Sequence, residues 1–343
     1  MPITLNGDTG IVTPMYNGSI TANAVTPSVN MKNRIINGAM VIDQRNAGAS
    51  VTPTSDNTYT LDRWRAGLTA SSKYSVQQNA GSVTPPVGFS NYLGVTSLSA
   101  YSVGSGDIFT ISQRIEGFNT ADLNWGTANA KTVTLSFWVR SSLTGTFGGS
   151  IVNGAENRFY PFTYTISSAN TWEQKSITVA GDTTGTWVGA TNGIGMAIWF
   201  GLGGGSTYSG TPNAWGTSGI TATGATSVVG TNGATFYITG VQLEVGSTAT
   251  SFDYRPYGTE LALCQRYFEA LATGSGTAGG LYGSIANVGY VAWFFKTTKR
   301  ASPTITLGAG SSITLDFTGA DAINGYRNGY PFIANGSVAS AEL

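Results

Sequence analysis

The chain has 343 residues, 17 Lys+Arg against 17 Asp+Glu, one Cys and no His; its 34 Ser and 47 Thr more than double the charged residues. Zero net charge without a basic run excludes binding by phosphate neutralisation, so no nucleic-acid partner is expected. The missing His removes the Ser-His-Asp and Cys-His mechanisms, while 8 Trp, 16 Tyr and 15 Phe argue for a buried core rather than a disordered chain.

Residues 1–32 hold short β-prone pieces, Ile3-Thr4-Leu5 and Gly10-Ile11-Val12, between the turn signals Asn6-Gly7-Asp8 and Tyr16-Asn17-Gly18. Too few apolar residues are present for a core. The segment reads either as a frayed end or as an arm that orders against another chain. Met1 to Asn6 has neither the basic flank nor the apolar stretch of a signal peptide, so secretion by the general route is not expected.

From Arg34 to about Pro256, β-formers come in short bursts separated by Gly, Asn, Ser and Pro, which predicts an all-β sandwich or barrel. In Lys131 to Arg140, Val133, Leu135, Phe137 and Val139 fall on one strand face. Trp172 to Val179 predicts a second strand. Ala234 to Val245 predicts a third, in which Phe236, Ile238, Val241, Leu243 and Val245 share a face only if a β-bulge sits at Gly240. Trp64, Trp138 and Trp199 are expected in the core. Gly201-Leu202-Gly203-Gly204-Gly205 lacks the Lys-Ser/Thr of a phosphate cradle and reads as a loop.

A helix is predicted over Thr259 to Thr273, capped by Thr259 and stopped by Gly274, with Leu261, Cys264, Phe268 and Leu271 as its apolar stripe. Cys264 on that stripe reads as a buried hydrophobe. Strands return at Gly280 to Ile285, Gly289 to Lys296, Thr304 to Leu307 and Ile313 to Phe317, a small β module of the kind that gains stability by association. The longest apolar runs, Met196 to Phe200 and Tyr290 to Phe295, fall far short of the roughly 20 residues that span a bilayer, so no membrane insertion is expected. No heptad run points to a coiled coil.

Carboxylate pairs such as Glu116 with Asp122 or Asp253 with Glu260 could serve a glycosidase, but caps and ion pairs account for such residues equally well, and no catalytic residue is assigned. Asn17-Gly18-Ser19 and Asn335-Gly336-Ser337 read as turns. The candidate ligand-binding residues are loop aromatics: Tyr208 and Trp215 within Gly201 to Gly224, and Trp187 in a similar Gly/Thr setting. Such rings offer an apolar face beside hydroxyl and amide groups, as a glycan requires. The alternative is that Trp187 and Trp215 cover the ends of the sandwich.

Arg34-Ile35-Ile36-Asn37-Gly38-Ala39-Met40 with Gln44-Arg45, then Tyr59-Thr60-Leu61-Asp62-Arg63-Trp64, resembles the start of a jelly-roll domain of bacteriophage tail fibres and related virion proteins. Thr235 to Glu244 with Phe252-Asp253-Tyr254-Arg255-Pro256 looks like its closing strand, which also occurs in carbohydrate-binding modules. Glu260 to Glu269 is similar to the junction between that jelly roll and a C-terminal head. Lys299-Arg300-Ala301-Ser302-Pro303-Thr304-Ile305-Thr306 and Ala341-Glu342-Leu343 match as well, and Ile3 to Ile11 looks like the opening that joins a fibre to its particle.

The resemblance implies a jelly-roll β-sandwich over 33–257, a virion-attachment arm over 1–32, and a linker helix with a receptor-binding β head over 258–343. It implies a non-enzymatic homotrimer on the virion surface that contacts other tail or capsid proteins and a host glycan or protein. A purely structural fibre or decoration protein is the alternative reading, and a glycan depolymerase a third. No cofactor is expected. A structural calcium is an open expectation that Ala39 and Asp43 weaken, since relatives often carry an acidic residue and an aromatic at those places.

Overall fold

The computed structural model describes residues 4–6, 10–12, 31–270, 281–285, 288–308, 311, 314–328, 333 and 337–343. Met1–Lys32 and Asn33–Leu343 are separate compact units. In the first, β1 (Thr4–Asn6) pairs antiparallel with β2 (Gly10–Val12), Thr4 opposite Val12. Asn17-Gly18-Ser19 lies outside the described residues.

The second unit opens with β3 (Thr58–Leu61), β4 (Trp64–Leu68), β5 (Tyr74–Gln78), β6 (Leu93–Ser97) and β7 (Ile108–Glu116). There follow β8 (Val133–Ser141), β9 (Gly145–Asn153), β10 (Phe159–Ile166), β11 (Glu173–Val179) and β12 (Ile194–Gly204). A short parallel pair, β13 (Ser209–Gly210) with β14 (Thr221–Ala222), precedes β15 (Thr235–Val245).

Two antiparallel sheets result, a six-stranded one in the order β10-β9-β12-β7-β4-β3 and a five-stranded one in the order β11-β8-β15-β6-β5. The chain passes repeatedly from one sheet to the other, so the fold is a jelly-roll β-sandwich. Its core follows from the period of two. Val133, Leu135, Phe137 and Val139 of β8 and Phe236, Ile238, Val241 and Leu243 of β15 are buried, facing Phe109, Ile111, Ile198 and Phe200. The Phe137 and Phe200 rings meet edge to face at 5.1 Å. Val245, expected on the same face, is exposed.

The pairing of β15 with β8 slips between Thr239 and Gln242, and Gly240 takes φ +61°, so the expected bulge is present. The glycine run is different. Gly201 to Gly204 belong to buried β12 rather than to a loop, because a Cβ on Gly201 or Gly204 would come within 2.5 Å of the Thr221 side chain. Glycine there lets β14 lie directly against the sheet.

Of the tryptophans expected in the core, Trp64 is fully buried between the sheets. Trp199 is buried on the outer face of the six-stranded sheet, with Phe159 and Ile220. Trp138 is only half-buried and also lies outside the sandwich.

The helix is shorter than expected. α1 (Tyr257–Gln265) starts after Pro256, and the stripe residue Phe268 opens a strand, β16 (Phe268–Ala270); Leu271 lies outside the described residues. Tertiary pairing overrides the weak helical pattern, since the Tyr267 carbonyl accepts from Ala341 N and the Arg266 carbonyl from Arg300 N. Cys264 is buried as expected, and burial pushes its thiol pKa well up.

Further strands are β17 (Leu281–Ile285), β18 (Val288–Phe294), β19 (Thr304–Thr306), β20 (Thr314–Thr318), β21 (Ala322–Asn328) and β22 (Val338–Ser340). They form a three-stranded sheet β16-β22-β19 and a four-stranded sheet β17-β18-β21-β20.

Residues after α1 are fastened to the sandwich by buried charge. Glu342 bonds Arg45 at 2.7 Å and also Arg63, which is 1% exposed and stacks on Tyr267 at 3.5 Å. Glu116 accepts from Arg266 at 2.7 and 3.0 Å and from the Tyr267 hydroxyl at 2.7 Å. Burial alone would raise the Glu116 carboxyl; these bonds outweigh it and hold the pKa below its usual value. Lys299 and Glu269 form a buried pair at 2.6 Å.

Candidate functional site

If Phe137 and Val139 of β8 point inward, Ser136 and Trp138 must point out. Their cross-strand neighbours on β11 are Ser176 and Gln174. Next to them on β15 comes the bulge. A Cβ on Gly240 would lie 2.6 Å from the Phe89 ring and 3.2 Å from Trp138, so glycine both supplies the left-handed backbone and lets two aromatic rings close over the strand.

Beyond the bulge, Gln242 and Glu244 are outward but buried, because they hold down the following loop. Glu244 accepts from Thr250 N at 2.9 Å and from the Thr250 hydroxyl at 2.6 Å, and Gln242 Oε1 accepts from Asp253 N at 2.8 Å. That clamp sets Phe252 and Tyr254 against Phe89, with ring centroids 4.9 to 5.5 Å apart.

The result is an open pocket of about 200 Å³ on the outer face of the five-stranded sheet, lined by Val87, Phe89, Ser136, Trp138, Gln174, Gly240, Thr250, Ser251, Phe252 and Tyr254. Among the described residues, the Trp138 indole N–H, the Gln174 amide and the Ser136 hydroxyl have no protein hydrogen-bond partner. No Asp, Glu, Lys or Arg lines the pocket. Partial burial raises the Tyr254 hydroxyl above its ordinary pKa, so the lining stays uncharged near neutral pH. The pocket therefore presents aromatic faces with neutral donors and acceptors beside them, the combination that holds a polar ligand with apolar edges.

Two of the three residues expected from loop composition come together elsewhere. At the end of the sandwich where β8 begins and β11 ends, Trp187 and Trp215 pack with buried Trp125, the rings nearly perpendicular and 4.7 to 5.7 Å apart. All three indole N–H groups are committed: Trp125 to Lys131 O, Trp215 to Ala180 O and Trp187 to Asp182. Burial would raise the Asp182 carboxyl, but bonds from Arg158, Thr184 and Trp187 hold it below the usual carboxylate range. Tyr208 is not part of this cluster; it packs on the outer face of the six-stranded sheet against the group that contains Trp199.

The carboxylates considered for catalysis are engaged in structure. Asp122 pairs with Arg34, Glu116 with Arg266, Glu260 with Arg255, and Asp253 accepts from Asn33 N. Asp43 caps a turn through Asn46 N and Gly48 N. Among the described residues no three His, Cys, Asp or Glu side chains are grouped to hold a metal, and no helix is long and apolar enough to cross a membrane.

No family model matches the sequence, and no curated protein matches it. Among solved structures, the chain is similar to the enzymatically active domain of bacteriophage CBA120 tailspike protein 4, at 14% identity over 63% of this chain, with a TM-score of 0.34. The match spans only 22% of that tailspike chain. A proposed sugar-binding protein from Bacteroides thetaiotaomicron matches at 12% identity over 62% of this chain and 100% of its own, TM-score 0.38. The family 11 carbohydrate-binding module from Clostridium thermocellum, in complex with a mixed-linked tetrasaccharide, matches at 10% identity over 58% and 97%, TM-score 0.29.

Proposed function

We propose that this protein binds a glycan without chemically altering it, and that the pocket over β8 is the binding site. One observation carries the reading. A half-exposed Trp138 with a free indole N–H lies beside an unpartnered amide and hydroxyl, under an aromatic group set by the Gly240 bulge. A sugar ring has apolar C–H faces and a polar rim, so it can lie on such a ring while its hydroxyls bond at the edge.

The setting we propose is the surface of a bacteriophage particle. The protein would be a homotrimeric fibre or receptor-binding component whose residues 1–32 attach to the virion and whose glycan sites engage the host. The order of the sequence strings supports this setting, and multivalency would let a weak site suffice. Binding to an array of bacterial surface polysaccharides tests the function. The wild-type protein is expected to bind a subset of them. Trp138→Ala and Tyr254→Ala should each weaken binding about tenfold, in line with the ~1–3 kcal/mol of one aromatic stack, with little change in melting temperature because both side chains are partly exposed. Absence of binding at high multivalency would favour a purely structural component, and a fall in polymer viscosity on mixing would favour a depolymerase.

A further inference from the structure

A second recess, of about 60 Å³, lies between the turn at Thr120-Ala121 and the loop at Trp187 to Gly189, floored by Met196 and walled by Trp125. Two glycines make it. A Cβ on Gly117 would meet Gly189 O at 2.2 Å, and one on Gly195 would meet Thr120 Oγ1 at 2.1 Å, so only glycine lets the turn and the loop approach closely enough to form a slot. Its walls are fixed. Arg34 bonds Asn119 O and Asp122 on one side, and Gly117 N and Phe118 N donate to Gly193 O and Thr191 O across the join.

The size limits the occupant. A water takes up about 30 Å³ and a benzene-binding cavity about 150 Å³, so this recess encloses about two heavy atoms, enough for a methyl and the carbon that bears it, and no whole sugar ring. The Trp125 and Trp187 indole N–H groups are used internally, and the recess offers apolar and polar surface in similar measure, the match for a group with a methyl at one end and a carbonyl at the other. We infer that this slot receives the acetyl group of an acetylated sugar, the methyl against the two indoles. The inference rests on the glycan-binding reading above but uses a different site, at the end of the sandwich rather than on its sheet face.

Titration with N-acetylglucosamine tetrasaccharide and with cellotetraose, which carries a hydroxyl in place of each acetamido group, tests it on the wild-type protein. O-acetylated xylan and its alkali-deacetylated form provide a second arm that separates ester from amide. At least one acetylated member is expected to bind tenfold or more tightly than its partner, with saturation transfer strongest to the acetyl methyl protons. Ala121→Phe, which fills the recess, should abolish that preference, and Leu98→Ala, an exposed side chain in neither lining, should leave it in place. Equal binding within both pairs would overturn the inference while leaving the Trp138 site standing. Failure of every glycan to bind either site would overturn both readings, and a preference that survives Ala121→Phe would place the acetyl group elsewhere.

Discussion

Gly240 is where a backbone requirement and a binding surface coincide. Its φ of +61° strains any side chain, and the Phe89 ring leaves no room for a Cβ. Gly240→Ala is therefore expected to destabilise the protein by about 1–3 kcal/mol and to push Phe89 away from Trp138. Denaturant unfolding checks the first effect, and glycan affinity the second. The bulge was readable in advance because the apolar residues of 234–245 change parity at one glycine. Trp138 was open to the same reasoning, since inward Phe137 and Val139 force it outward, but the expectation that large aromatics are buried placed it in the core. Loop composition pointed to Trp187 and Trp215. It could not show that their N–H groups are already taken, because the partners, Asp182 and Ala180 O, depend on how distant segments pack.

The sequence strings that resemble phage proteins acquire a common physical explanation in the junction between the sandwich and the strands after α1. Gln44-Arg45, Asp62-Arg63, Arg266 to Glu269, Lys299-Arg300 and Glu342 come from distant parts of the chain and meet there in one buried polar network. Burial pushes the Asp62 carboxyl up to about 6, against the pull of Arg45 and two bonds from Gln44. A folded-state pKa raised from 3.8 means that the folded protein holds this proton more tightly than the unfolded chain. Its stabilising contribution is fully present below about pH 4 and is lost as pH rises through 6, on the order of 3 kcal/mol in all. Glu116, held below its usual value, acts in the opposite sense at lower pH. Melting temperatures between pH 5 and 7 should therefore fall more with rising pH in the wild type than in Asp62→Asn; parallel curves would refute this assignment. The junction also explains why the helix after Pro256 stopped early, whereas the glycine run joined a strand away from the junction, where β14 lies directly against it. In both places a contact from far along the chain, Ala341 or Thr221, decides a local choice that short-range patterning leaves open.

The whole chain combines a neutral, hydroxyl-rich composition with a jelly-roll sandwich and an uncharged aromatic pocket on one sheet face. A ligand held without charge should bind almost independently of salt. If the protein assembles as proposed, light scattering will give a mass near three times 35.6 kDa; a monomer at micromolar concentration would remove the trimeric fibre while leaving the pocket intact. The all-β class was readable from the spacing of turn residues, whereas the clamp of Gln242 and Glu244 on the 250–253 loop, which builds the pocket, has no local signature. The most direct measurement is a ¹H–¹⁵N spectrum of the tryptophan indoles during titration with a bound polysaccharide from the array. The Trp138 indole resonance is predicted to shift in a saturable way while that of core Trp64 stays fixed. Saturable binding that leaves Trp138 unmoved would contradict the account.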